Sequence, residues 1–132
     1  MNKCILVKKE GIDKILATHP IAGKRLLEPL KYLMESKQIP FGILEDCRVG
    51  EEDAKVEVHR SEGDLWFALE GKTEFIYGGK IKEQKLGMPK IIAVTEINLN
   101  PGDWLWIPPG QPHLHKNSKT SRLIIIKIPA AK

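Results

Sequence analysis

The spacing of hydrophobic positions changes near Pro40. Before it, the stretch GIDKILATHP predicts a short helix capped by Asp13 and ended by His19-Pro20, because the residue before a proline is pushed out of helical geometry. From Pro29 onward, Leu30, Leu33 and Met34 recur on one helical face while Lys31, Glu35 and Lys37 point away. A second helix with one packing stripe is the expectation. After Pro40 the period shortens to two. Short runs of branched and aromatic residues, FGILEDCRV, AKVEVH, LWFALE, TEFIY, IIAVTEINL, WLWIP and RLIIIKI, alternate with turn formers such as RSEGD, EGK, YGGK and NPGD. No βαβ alternation interrupts them, so the pattern predicts an antiparallel sandwich or barrel. The segment KIKEQKLGMPK, with Gly87 and Pro89, breaks the rhythm and is expected to be an inserted loop. The fold class is therefore all-β with a short helical N-terminal segment: residues 1–40 packing on a barrel of residues 41–132, one domain overall.

Composition narrows the picture without changing it. At 132 residues the chain has room for one sizeable core, and its 42% hydrophobic and 29% charged residues are globular proportions. No apolar run reaches the roughly 20 residues that span a bilayer, and the start lacks the apolar core of a secretory signal, so the cytoplasm is the expected address. Cys4 and Cys47 form no CxxC pair and are expected to be reduced thiols. The formal net charge of +4 raises the question of nucleic acid, but the basic residues are interleaved with acids and serines rather than clustered. Neither nucleic acid nor membrane is an expected partner.

Candidate chemistry comes from alternation. Gly102-Asp103 turns the chain into the strand Trp104 to Ile107, and Pro108-Pro109-Gly110 turns it out again before a strand starting near His113. His113, His115 and Asn117 then share a face, as do Glu57 and His59 on an upstream strand. A turn at Ser61 to Gly63 returns Asp64 at the head of the next strand. If His113 faces these residues, two imidazoles and up to two carboxylates meet, a set suited to Fe, Mn, Ni, Zn or Cu more than to Mg or Ca. Each residue also has a plainer use: Glu57 as an outward carboxylate, His59 as a hydrogen-bonded rim residue, Asp64 as a turn residue, His115 as packing. Trp66 shares parity with Asp64 and is expected to line the pocket or the core, while Trp104 and Trp106 lie together on one face, over a second sheet or a subunit contact.

At these residues the sequence resembles the cupin superfamily. Its second motif, Gly-x5-Pro-x-Gly-x2-His-x3-Asn, is matched at every fixed position by Gly102, Pro108, Gly110, His113 and Asn117. The first motif is degenerate: it runs Gly50-x6-Glu57-x-His59-x4-Asp64-x6-Gly71, with Glu57 in place of a histidine and Asp64 in place of a glutamate. The resemblance covers residues 41–129 and implies a jelly-roll (double-stranded β-helix) barrel holding a divalent transition metal, Fe, Mn, Ni or Zn, at its mouth. Position by position it implies Glu57, His59, Asp64 and His113 as ligands. His115 is the candidate catalytic proton carrier, since an imidazole titrates near neutrality. Trp66 is the candidate substrate-binding wall.

The expected function is a metal-dependent enzyme of oxygenase, isomerase or lyase type acting on a small polar or anionic metabolite. The alternative is a binding or sensing protein with a weak or absent metal site, because one fold hosts many functions. The isoleucine-rich RLIIIKIP would be hazardous as an exposed edge, and a homodimer is the expected assembly.

Overall fold

The computed structural model describes residues 4, 6–18, 23–25, 30–38, 41–46, 54–87 and 89–131. Among these residues two helices and ten strands follow one another: α1 (Lys9–Leu16), β1 (Gly23–Arg25), α2 (Leu30–Glu35), β2 (Phe41–Asp46), β3 (Glu62–Glu70), β4 (Thr73–Tyr77), β5 (Lys80–Lys82), β6 (Lys90–Ile92), β7 (Thr95–Leu99), β8 (Trp104–Ile107), β9 (His113–Lys116) and β10 (Ser121–Pro129). The larger sheet has the order β1-β2-β10-β3-β8, the smaller β7-β4-β9, and β5 and β6 form a two-stranded ladder. Every described ladder is antiparallel.

Strand alternation builds the core between the two sheets. Trp66 and Ala68 of β3, Leu123 and Ile125 of β10 and Ile107 of β8 come from the larger sheet, and meet Phe75 of β4 and Leu99 of β7. All seven are buried, which is the all-β, two-layer architecture that alternation predicts. The chain passes from β3 to β4 through Gly71, whose φ of 73° is left-handed. A Cβ there would stand 2.5 Å from the carbonyl oxygen of Thr120, so only glycine fits this junction. Beside it, buried Thr73 donates its hydroxyl to Ser121 at 2.8 Å, tying the smaller sheet to the larger. Asn117 donates to the carbonyl of Lys119 and pins the β9–β10 turn.

Several local expectations are corrected. Asp13 does not cap α1: the helix starts at Lys9, and Asp13 sits inside it, paired with Lys9 one turn earlier. Residues 1–40 are not purely helical, since β1 pairs with β2 and extends the larger sheet. KIKEQKLGMPK is not simply a loop, because its ends form the β5–β6 ladder. IIAVTEINL breaks into β6 and β7 at Ala93, which adopts a left-handed φ of 58° and redirects the chain. AKVEVH forms no continuous strand and contributes a single bridge at Glu57. The expected helix stop at His19-Pro20, together with Pro29, Cys47 and Gly50, lies outside the described residues.

The N-terminal segment is fastened to the barrel by a buried cation. Arg122 of β10, 2% exposed, sends its guanidinium to the carbonyls of Leu16 and Thr18 at the end of α1. A cation there satisfies carbonyls that the helix leaves open and complements its negative end. Leu33 of the α2 stripe is buried, and Tyr32 beside it is exposed.

Candidate metal centre

Main-chain hydrogen bonds place the candidate ligands before any side chain is considered. Glu57 and His113 exchange both backbone bonds, Glu57 N–H to His113 O at 2.8 Å and His113 N–H to Glu57 O at 3.0 Å. Directly opposed residues of an antiparallel pair project to the same side. Two residues on, the carbonyl of His59 accepts from Gly110 N–H at 2.8 Å, which locks the first-motif segment to the turn of the second. β3 supplies Asp64 from the opposite sheet, on the inward parity it shares with Trp66 and Ala68.

The side chains converge. One ligand atom each from Glu57, His59 and His113 lies within 4.8 Å of the other two. Asp64 joins them through both imidazoles: its Oδ2 is 3.6 Å from His59 Nε2 and 3.7 Å from His113 Nε2. Glu57 Oε2 stands at 3.6 Å and 3.7 Å from the same two nitrogens. Gaps of that length are too long for hydrogen bonds. They are close to the edge of a coordination polyhedron, for donors at about 2.0–2.2 Å from one ion in a tetrahedron stand roughly 3.3–3.6 Å apart.

Burial and hydrogen bonding say which atoms are offered. His113 Nδ1 lies 3.0 Å from the carbonyl of Gln111, so the proton belongs on Nδ1 and the lone pair on Nε2 faces the cluster. Among the described residues, His113 Nε2 and Asp64 Oδ2 are both buried without a hydrogen-bond partner. Two buried polar atoms left this way are costly unless something binds them, and a divalent cation suits an imidazole lone pair and a carboxylate oxygen together. The residues present therefore fit a metal. Glu57 and His59 are 48% and 31% exposed at their side chains, against 1% for His113 and Asp64, so the cluster opens to solvent on the Glu57–His59 side.

His113 carries a pH signature. Burial lowers its pKa from the ordinary 6.5, aided by His59 and opposed by the Gln111 carbonyl and the charges of Asp64 and Glu57. A depressed histidine binds fewer protons folded than unfolded, so its contribution to stability is present above the unfolded pKa and is lost as pH falls. Metal-free protein is expected to melt at a lower temperature at about pH 5.5 than at about pH 7, and His113→Asn is expected to flatten that slope. A melting temperature that rises on acidification contradicts this assignment.

The remaining candidates lie along the same strands. His115, two residues on from His113 in β9 and half-buried, packs in a three-ring cluster with Trp66 and its register partner Phe75, with ring centroids 5.1 Å and 5.3 Å away. Trp66 is 1% exposed and packs edge-on against Phe75 at 5.2 Å. Trp104 and Trp106 are exposed on the outer face of the larger sheet. Two participants were not anticipated. Tyr77 is the register partner of His113 and packs on the core at the level of the cluster. Lys127 reaches Asp64 Oδ1 at 2.6 Å. Its sequence signal is a lysine at the inward position that follows the apolar run Leu123 to Ile126. A groove of about 430 Å³ lies elsewhere, on the outer face of the smaller sheet along Val56, Ile76 and Leu114.

An antiparallel jelly roll with imidazoles and carboxylates gathered between its sheets is a defined class of barrel. A family model described as "Cupin domain" matches residues 44–129, and the chain belongs to the cupin superfamily. Among solved structures it is similar to the hydroxypropylphosphonic acid epoxidase from S. wedmorenis, at 19% identity and TM-score 0.52 over 67% of this chain and 42% of that one. A structure of FeII HppE aligns over 97% of this chain and 62% of that one, at 14% identity and TM-score 0.60. The Drosophila melanogaster CENP-C bound to CAL1 is similar at 15% identity and TM-score 0.50, over 67% of this chain and 60% of that one. The chain thus spans less than two thirds of the length of each. No curated protein matches the sequence. The likenesses concern the fold, which carries an iron(II) protein and a protein-binding one alike.

Proposed function

We propose that this cupin is a metal-dependent enzyme that holds one divalent transition ion, Fe, Mn, Ni or Zn, between Glu57, His59, Asp64 and His113, and acts on a small polar or anionic metabolite as an oxygenase, isomerase or lyase. The observation that carries the proposal is the set of four N···O distances of 3.6–3.7 Å. When bound, the ion supplies Lewis acidity or redox chemistry to a ligand in its open position. Glu57 and His59 form the solvent-side rim through which that ligand enters. His113 and Asp64 form the buried back of the site, where water is excluded and electrostatic effects are strong. Trp66 lines the interior below them, and His115, packed against the rings of Trp66 and Phe75, is the candidate to carry a proton.

Elemental analysis of the purified protein, followed by titration with Fe(II), Mn(II), Ni(II) and Zn(II), tests the reading. One equivalent of metal per chain is expected. A wild type that arrives metal-free and then refuses all four ions removes it. Binding without turnover of any metabolite class would instead make the protein a metal-dependent ligand-binding cupin.

A further inference from the structure

Lys127 lies in the run RLIIIKIP, yet alternation along β10 puts it on the inner face with Leu123 and Ile125. In the β10–β3 ladder its register partner is Asp64. The ammonium donates to Asp64 Oδ1 at 2.6 Å and stands 3.8 Å from Glu62 Oε1. Both members of the central pair are withdrawn from solvent, with side chains 16% and 1% exposed. The other oxygen, Oδ2, is the one that faces the two imidazoles.

We infer that Lys127 is a positioning residue: by holding Oδ1 it fixes the rotation of the Asp64 carboxylate and restricts it to one-oxygen ligation, leaving a coordination position open for substrate. The inference rests on the metal-site reading above. A carboxylate turns easily about its last bond, whose torsional preference is broad, and a free one can offer both oxygens to an ion. With Oδ1 engaged by a strong charge-assisted bond, neither option is open to Asp64. The shorter reach of aspartate is compensated because β3 brings its backbone to the cluster and β10 steers its tip.

Charge and orientation make opposite predictions when Lys127 is removed. Deleting a positive charge near a cation site would, by Coulomb attraction alone, tighten metal binding. Losing the partner that orients a ligand weakens it, typically by about 10–100-fold. Wild type, Lys127→Met and Lys127→Arg are therefore titrated with Zn(II) and with Co(II), whose visible spectrum reports ligand geometry. The expected result is at least about tenfold weaker binding and an altered cobalt spectrum in Lys127→Met, with Lys127→Arg restoring the wild-type spectrum. Unchanged or tighter binding in Lys127→Met, with the wild-type spectrum, overturns the inference and leaves the metal site standing. Should Lys127→Met fail to fold, Lys127→Gln, one bond shorter and uncharged, takes its place with the same expected weakening and the same overturning result. A wild type that binds neither ion removes the metal-site reading and this inference with it.

Discussion

Replacing His113 with alanine is expected to abolish stoichiometric metal binding, raising the dissociation constant by more than about 100-fold, because partners that only orient ligands are themselves worth about 10–100-fold. His113 is the most constrained member of the cluster. Its main chain is bonded to Glu57, its Nδ1 to Gln111, and its buried Nε2 has no hydrogen-bond partner among the described residues. Water entering the space left by the ring can occupy a coordination position, but it cannot replace an imidazole fixed through both its main chain and its Nδ1. Isothermal titration with Zn(II) and elemental analysis after dialysis measure the effect, with a thermal melt to show that the barrel persists. His115→Ala is the control: its ring packs against Trp66 and Phe75 rather than joining the Glu57–His59–His113 group, so it is expected to keep the stoichiometry. If His113→Ala retains tight one-to-one binding, the cluster is not where the metal sits.

Trp66→Ala carries the second large effect, on stability. The indole is 1% exposed and reaches both sheets, touching Phe75 and His115 at 5.2 Å and 5.1 Å. Truncating a buried tryptophan to alanine costs about 3–5 kcal/mol through lost burial and the cavity left behind. Set against the roughly 5–15 kcal/mol that holds a domain together, this is enough to leave the variant marginal. Trp104, 57% exposed on the outer face, provides the contrast even though it stacks on Phe67 at 4.3 Å. Its replacement is expected to cost well under half as much. Urea denaturation of the two variants side by side checks the ranking, and equal losses would mean that the inner and outer faces of the larger sheet have been confused.

The parts of this structure that could be read from sequence are those set by short-range rules. The spacing of Gly102, Pro108, Gly110, His113 and Asn117 fixes turns and parity within one stretch of chain, and β8 and β9 stand where that spacing puts them. Parity likewise separates Asp64 and Trp66, which are buried, from Phe67 and Leu69, which are less so. What could not be read depends on partners far along the chain. Lys127 meets Asp64 across 63 positions, and Arg122 meets Leu16 across 106. Neither pairing has a local signature beyond a cation among apolar neighbours. The Gln111 contribution is a main-chain carbonyl, which side-chain patterns do not encode. β1 and β5 are three residues long and carry too few alternating positions to rise above loop composition. Asp13 shows the limit of capping rules, since a capping residue type inside a helix finds a lysine one turn earlier instead.

The paired backbone bonds between Glu57 and His113 act as a caliper whose jaws are set before any ion arrives. Two donors held on a common span of main chain cannot spread independently, so in the proposed site the aperture would sort cations by radius. Calcium, with oxygen contacts of about 2.3–2.6 Å and an appetite for six to eight of them, would have to pry the jaws apart. The smaller transition ions would slip between them with the barrel at rest.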